Sequence, residues 1–107
     1  MGSWISMPQM PTARGGLAAS SLGHGALLAI GGRRGREPAA WSAALSGVER
    51  FVPRNSTWSC WAPLPVARSA LAAAPLDDES LLVMGGLSDS SMAQSTVERF
   101  ELRQRMA

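Results

Sequence analysis

Short apolar runs, separated by glycines, prolines and small polar residues, recur along the chain. The runs ALLAI at 26–30 and LLVM at 81–84 each end in two glycines. Runs of this length are too short for a helix and are typical of buried strands. GVERFV and TVERFEL alternate apolar and polar positions, which is the period of a half-buried strand. Alanine-rich stretches favour helix on propensity alone, but the regular glycines and prolines favour strands, and we predict an all-β chain.

The apolar runs belong to an internal repeat. Residues 17–32 align with residues 71–86 at an offset of 54, and eight of the sixteen positions are identical. The match extends backwards without a gap, from 4–14 over 58–68. Agreement over this length indicates two copies of one structural unit.

The repeat also locates two loops. VERF recurs at 48–51 and 97–100, where the offset falls from 54 to 49. The change in length is confined to the stretch between the glycine pair and VERF, which marks residues 33–47 and 87–96 as loops. Each unit therefore reads as four short strands.

Composition restricts the function. The 107 residues carry ten arginines, no lysine and eight acidic residues, for a net charge of +2, and one cysteine and one histidine. A nucleic-acid-binding domain shows more basic residues, interleaved with aromatics, so we predict no nucleic-acid partner. One histidine and one cysteine leave no ligand set for zinc and no disulfide. We predict no cofactor, no metal and no catalytic residue.

The cysteine count and the lengths of the apolar runs bear on where in the cell the protein lies. The single cysteine, Cys60, fits a reducing environment, and we predict a cytoplasmic protein. The apolar runs are far shorter than the ~20 residues that span a bilayer. The first residues fit the N-myristoylation pattern, with Gly2 as acceptor and Ser6 at the favoured position. Because that pattern is short and Trp4 has a competing structural role, we predict no membrane attachment.

The repeated motif has a fixed order. A tryptophan comes first, then a proline-bearing MP or LP, an arginine, an apolar run with GG, VERF, and P-x-N-x-x-W at 53–58. This order resembles the kelch repeat, one blade of a β-propeller, from residue 4 to residue 100. Two features depart from the kelch pattern. Aliphatic side chains stand where an aromatic usually precedes the glycines, and Val52 stands where an aspartate is usual.

The resemblance implies one partial propeller over residues 1–107, made of two four-stranded blades. Residues 4–14 would be the fourth strand of a preceding blade, 14–61 the first kelch repeat, and 68–102 a second repeat lacking its own fourth strand. Two blades leave apolar sheet faces open, and repeat arrays usually need at least about three repeats. We therefore expect a piece of a longer propeller, self-association, or pairing with other kelch blades.

The resemblance also implies structural roles for the residues that recur. The glycines let the chain leave a strand through conformations closed to other residues. The arginines and glutamates bond backbone groups or each other, since a buried charge must be paired, and the tryptophans pack between sheets. The ten residues are Gly31, Gly32, Gly85, Gly86, Trp4, Trp58, Arg14, Arg68, Glu49 and Glu98.

Propellers of this kind, such as the substrate adaptors of cullin ubiquitin ligases, bind partners on one face. That face is built from loops after the glycine pair and loops entering the innermost strand. We predict a protein-interaction module that presents loops 33–47 and 87–95, with a substrate-adaptor role as the narrower hypothesis. Neighbouring arginines there could pair an acidic peptide. The predicted contact residues are Arg33, Arg34, Arg36, Trp41, Ser69, Leu87 and Asp89.

Two alternatives remain open. The chain could be a fragment of a propeller enzyme whose catalytic residues lie outside it, or a truncated product with no function of its own. The lone histidine, His24, falls in a predicted turn with no nucleophile placed near it, which is typical of a surface residue.

Overall fold

The computed structural model describes residues 1–23, 25–34 and 43–102, which contain seven strands and no helix. The glycine-ended apolar runs and the VERF segments form strands where the pattern predicts them. The strands are β1 (Ala18–Leu22), β2 (Ala26–Ile30), β3 (Val48–Val52), β4 (Thr57–Trp61), β5 (Ala72–Asp77), β6 (Ser80–Met84) and β7 (Val97–Glu101).

The strands form two antiparallel sheets in chain order. The first sheet is β1-β2-β3-β4 and the second is β5-β6-β7. We call them the first blade and the second blade. The all-β prediction is confirmed, as are the two blades and, within the described residues, the absence of a fourth strand from the second one.

The sequence repeat is also a repeat of strand register. Ala18 lies opposite Ile30 in the first blade, and Ala72 lies opposite Met84 in the second. The second blade departs from this register only between Pro75 and Asp77. Proline has no N–H to give to a ladder, and such residues are found at bulges and edges.

The core lies between the two blades. Since side chains alternate across a strand, each sheet turns one apolar set towards the other, and β1 lies against β5. Trp61 at the end of β4 stacks on Phe100 of β7, with ring centroids 5.3 Å apart. The buried members of this cluster are Ala18, Leu22, Leu28, Ile30, Val48, Leu71, Leu81 and Val83.

The blades diverge towards their outer strands. A cleft of about 350 Å³ opens there, between the apolar face of the first blade and β6–β7 of the second. The connection from β4 to the second blade, including Leu64, lines one side, and Phe100 lines another. The inner strands therefore hold the blades together more closely than the outer ones do.

The N-terminal segment is the part of the chain predicted to complete a preceding blade. Residues 1–17 form no strand, and Trp4, predicted to pack between sheets, is fully exposed. A strand needs a neighbour to receive its hydrogen bonds, and the blade that residues 4–14 were predicted to complete is neither of these two sheets. The equivalent Trp58 is half-buried, and its ring packs 4.8 Å from that of Phe51.

The last residue of β5, Asp77, is a carboxylate with a perturbed pKa. Asp77 Oδ1 accepts hydrogen bonds from the Glu79 backbone N–H and the Ser80 hydroxyl, each at 2.8 Å. These bonds favour the ionised form and hold the pKa of Asp77 below its ordinary value, the Glu79 bond contributing most. The stability that this gives is present above the unfolded-state pKa and is lost as pH falls through the folded-state pKa.

We expect Ser80→Ala to raise the pKa of Asp77 towards, but not to, its ordinary value, because the Glu79 N–H remains. An NMR titration of the carboxyl carbons measures this directly, with Ser59→Ala on exposed β4 as the control. An Asp77 pKa unchanged by Ser80→Ala would show that the hydroxyl contributes nothing.

Candidate interaction surface

The residues after each repeat arginine pair with the residues after each glycine pair. In the first repeat, Gly15 and Arg33 exchange backbone hydrogen bonds of 2.9 and 2.7 Å. In the second, Ser69 and Leu87 exchange bonds of 3.0 and 2.8 Å. Arg33 also bridges Ala44, as Leu87 bridges Ala93. The predicted positions therefore meet, in the same arrangement, where β2 and β6 end.

Side chains join the loops of the two repeats. Arg33 Nε donates to Ser69 Oγ at 3.0 Å, and Arg33 Nη2 donates to the carbonyl oxygen of Ser88 at 3.0 Å. In the opposite direction, the Ala44 N–H donates to Asp89 Oδ1 at 2.5 Å. Five residues, three of them predicted contact residues, thus tie the first blade to the second. We call residues 15–16, 33–34, 69–70 and 87–93 the loop surface.

Burial divides the predicted contact residues into two groups. Ser69 is buried, and Arg33 and Leu87 are half-buried, so these three hold the surface together. Arg34 and Asp89 are exposed. The predicted Arg36 and Trp41 lie outside the described residues, as does His24.

The sequence analysis missed an exposed large apolar side chain of this surface. Met92 is 64% exposed at the end of the LSDSS loop. The loop is closed by its own bonds, from the Ser88 N–H to the Met92 carbonyl oxygen at 3.0 Å and from the Ser91 N–H to the Ser88 carbonyl oxygen at 2.9 Å. A methionine directly after a run of small polar residues was the available signal, since such a loop has no core to bury it.

The repeat arginine of the first blade lies beneath this surface. Arg14 Nη1 donates to the carbonyl oxygens of Gly31 and Gly47 at 2.9 and 2.8 Å, and Arg14 Nη2 donates to Glu49 Oε1 at 2.9 Å. Thr12 Oγ1 donates to the other oxygen of Glu49 at 3.1 Å. Both charged side chains are almost completely buried. The guanidinium therefore fixes the end of β2 to the start of β3.

The second blade repeats this arrangement. Arg68 is fully buried, donates from Nη1 to the Gly85 carbonyl oxygen at 3.0 Å, and forms an ion pair with Glu98. The backbone of Arg68 also binds the first blade, since its carbonyl oxygen accepts the Gly32 N–H at 2.9 Å. Gly86 occupies the position equivalent to Gly32. The structure places all these residues in the framework of the loop surface, not on its exterior.

Little in the described part of the chain points to chemistry. Among residues 1–23, 25–34 and 43–102, no three His, Cys, Asp or Glu side chains come close enough together to hold a metal ion. The same residues include no helix of the length and hydrophobicity needed to cross a membrane.

The geometry defines a class of protein: a partial β-propeller, whose antiparallel blades stack through their faces and carry paired loops at one end. The sequence profile of the Kelch motif matches residues 14–65. The chain is 33% identical over 101 residues to mouse (Mus musculus) Kelch-like protein 35, covering 94% of this chain and 16% of that protein. It is 44% identical over 54 residues to human (Homo sapiens) Kelch-like protein 4, covering 50% of this chain and 7% of that protein.

The chain belongs to the kelch-repeat family. It spans less than a fifth of the length of each of these two relatives. The matches support a protein-interaction module in general terms.

Proposed function

We propose that the chain binds a protein partner through the loop surface, in the manner of a substrate adaptor in the cytoplasm. The observation that carries the proposal is the set of bonds that Arg33 and Asp89 make across the two repeats. Loops from separate blades are thereby held as one rigid surface, and preordered loops bind with a smaller entropic cost.

The exposed side chains of the surface suggest the chemistry of the partner. Arg34 is exposed, and a guanidinium binds carboxylates in a bidentate way. Met92 is a flexible apolar side chain, of a kind common at binding surfaces that accept varied shapes. We propose that the partner supplies an acidic residue beside an apolar one, which places Arg34 and Met92 at the contact and leaves Arg33 to order the loops.

Charge reversal at Arg34 and a charge at Met92 test this proposal. We expect Arg34→Glu and Met92→Asp each to weaken binding of the partner at least tenfold, about 1.4 kcal/mol. Arg54→Glu is the matched control, because Arg54 is also exposed but lies in the β3–β4 turn, at the opposite end of the sheet.

The measurement is quantitative mass spectrometry of proteins retained by the immobilised 107-residue chain and its three variants, followed by binding titration of the purified partner. Proteins kept by wild type and Arg54→Glu but lost by the two loop variants support the proposal. Retention of the same proteins by all four chains contradicts it.

A further inference from the structure

Two parts of the described chain are available for pairing with a further strand. The outer edge of β7 pairs with no strand in residues 1–23, 25–34 or 43–102, whereas its inner edge pairs with β6. The N-terminal segment contains Trp4, which is fully exposed, and Ile5, which is 79% exposed. An unpaired strand edge is a template for another chain.

The first blade supplies a template for joining these two parts. There β3 pairs with β4, so that Arg50 lies opposite Ser59 and Phe51 lies opposite Trp58. In the sequence repeat, β3 aligns with β7, and residues 57–61 align with residues 3–7. The same register would set Ile5 opposite Arg99 and Trp4 opposite Phe100.

The rest of the N-terminal segment is already in place on its own blade. Trp58 Nε1 donates to the Pro8 carbonyl oxygen at 3.0 Å, and Thr12 and Arg14 both bind Glu49. Glu49 lies on the face of the first blade opposite to Val48, whose side chain packs towards the second blade. The segment therefore leaves from the side of the first blade that faces away from β7, so residues 3–7 are directed away from β7 of their own chain and towards a neighbouring molecule.

The burial of repeat-equivalent residues points to the same contact. Ile30, Val48 and Leu22 are covered by the second blade and are 1%, 7% and 3% exposed. Their equivalents in the second blade, Met84, Val97 and Leu76, are 37%, 59% and 50% exposed.

On the other face of each sheet, the residue of the second blade is buried and its equivalent in the first blade is exposed. Leu81 of the second blade packs on the first and is 1% exposed, whereas its equivalent in the first blade, Leu27, is 45% exposed. Met84, Val97, Leu76 and Leu27 are thus exposed at positions whose repeat equivalents are covered by the interface inside the chain.

We propose that copies of this chain associate head to tail. Residues 3–7 of one copy pair antiparallel with β7 of the next and complete its second blade, and the first blade of the former stacks on the open face of the latter. Such a contact between unlike surfaces closes into a ring when the rotation allows. Propeller rings hold about four to eight blades, so two blades per copy give two to four copies.

Size-exclusion chromatography with light scattering, beside a far-UV spectrum, measures the first consequence. We expect β signal and a discrete mass of two, three or four times 11.3 kDa. Ile5→Pro removes an N–H from the added strand, and we expect it to shift the chain to monomer with its β signal retained. Ile5→Val is the control and should keep the mass of the wild type.

Engineered cysteines test the register itself. In a Cys60→Ser background, Ile5→Cys with Arg99→Cys places two thiols at directly opposite positions, where the Cα atoms are about 4.5–5.5 Å apart and can be bridged. We expect covalent multimers on a non-reducing gel. Ile5→Cys with Phe100→Cys is the control, because a shift of one residue puts the thiols on opposite faces.

The outcomes separate cleanly. A bounded oligomer that is lost with Ile5→Pro and crosslinked only in the matched register supports the proposal. A folded monomer, an unbounded aggregate, an oligomer insensitive to Ile5→Pro, or crosslinking without register preference overturns it, and pairing only with a different kelch chain in a mixture overturns it as well. None of these results depends on a partner at the loop surface, so this proposal and the proposed function fail separately.

Discussion

Replacing Arg14 with methionine is expected to lower the free energy of unfolding by about 3–5 kcal/mol, the usual cost of removing one partner of a buried ion pair. The Glu49 carboxylate would stay buried with Thr12 as its remaining side-chain donor. The carbonyl oxygens of Gly31 and Gly47 would lose the guanidinium that binds them both. Urea unfolding followed by circular dichroism measures the change.

The chain offers a matched exposed pair as the control. Arg99 Nη2 lies 2.7 Å from Glu101 Oε1, but both side chains are a third or more exposed. We expect Arg99→Met to cost less than about 1 kcal/mol, because solvent screens such pairs. Losses of similar size at Arg14 and Arg99 would contradict the role given to the buried pair.

A conservative variant keeps the test usable if Arg14→Met does not fold. Domains of this size are stable by only about 5–15 kcal/mol, so the larger loss could unfold the chain. Arg14→Lys retains the positive charge, but a lysine ammonium lacks the planar guanidinium that binds two carbonyl oxygens and a carboxylate at once. We expect an intermediate loss of stability, with the β signal retained.

Much of the fold could be predicted from the sequence because local pattern and repeat agree. ALLAI at 26–30 coincides with β2, since a short apolar run ended by glycines has few alternatives to a buried strand. The repeated arginines and glutamates were predicted to bond backbone groups or each other, and the structure places Arg14 beside Glu49 and Arg68 beside Glu98. A repeat is informative here because each unit is an independent test of the other.

What the sequence could not supply depends on contacts between units. Trp4 carries the same local pattern as Trp58, yet it is exposed, because the strand it would join is specified by tertiary pairing. Arg33 was predicted to face a partner, whereas its guanidinium also reaches Ser69 and Ser88 of the other repeat. No pattern within one repeat encodes a bond between repeats.

Replacing Gly32 with alanine is expected to cost about 2–4 kcal/mol, which combines backbone strain with a steric conflict. Gly32 has a φ of +103°, and a Cβ there would lie 2.7 Å from the Gly15 carbonyl oxygen. That oxygen accepts the Arg33 N–H. Because this backbone atom cannot move without breaking the Gly15–Arg33 pair, the substitution would disturb the base of the loop surface as well as the fold.

Gly25→Ala separates strain from steric conflict. Gly25 also has a positive φ, +76°, but a Cβ there would meet nothing within 4 Å, so we expect a loss of about 1–2 kcal/mol from strain alone. Urea unfolding gives the two free energies, and hydrogen exchange should show faster exchange of the Arg33 amide in Gly32→Ala only. Equal losses, with the Arg33 amide unchanged in both, would mean that the close approach of Gly32 to Gly15 contributes nothing. A larger loss at Gly32 with a faster Arg33 amide would mean that the double glycine is required because it lets the loop surface form directly on the end of β2.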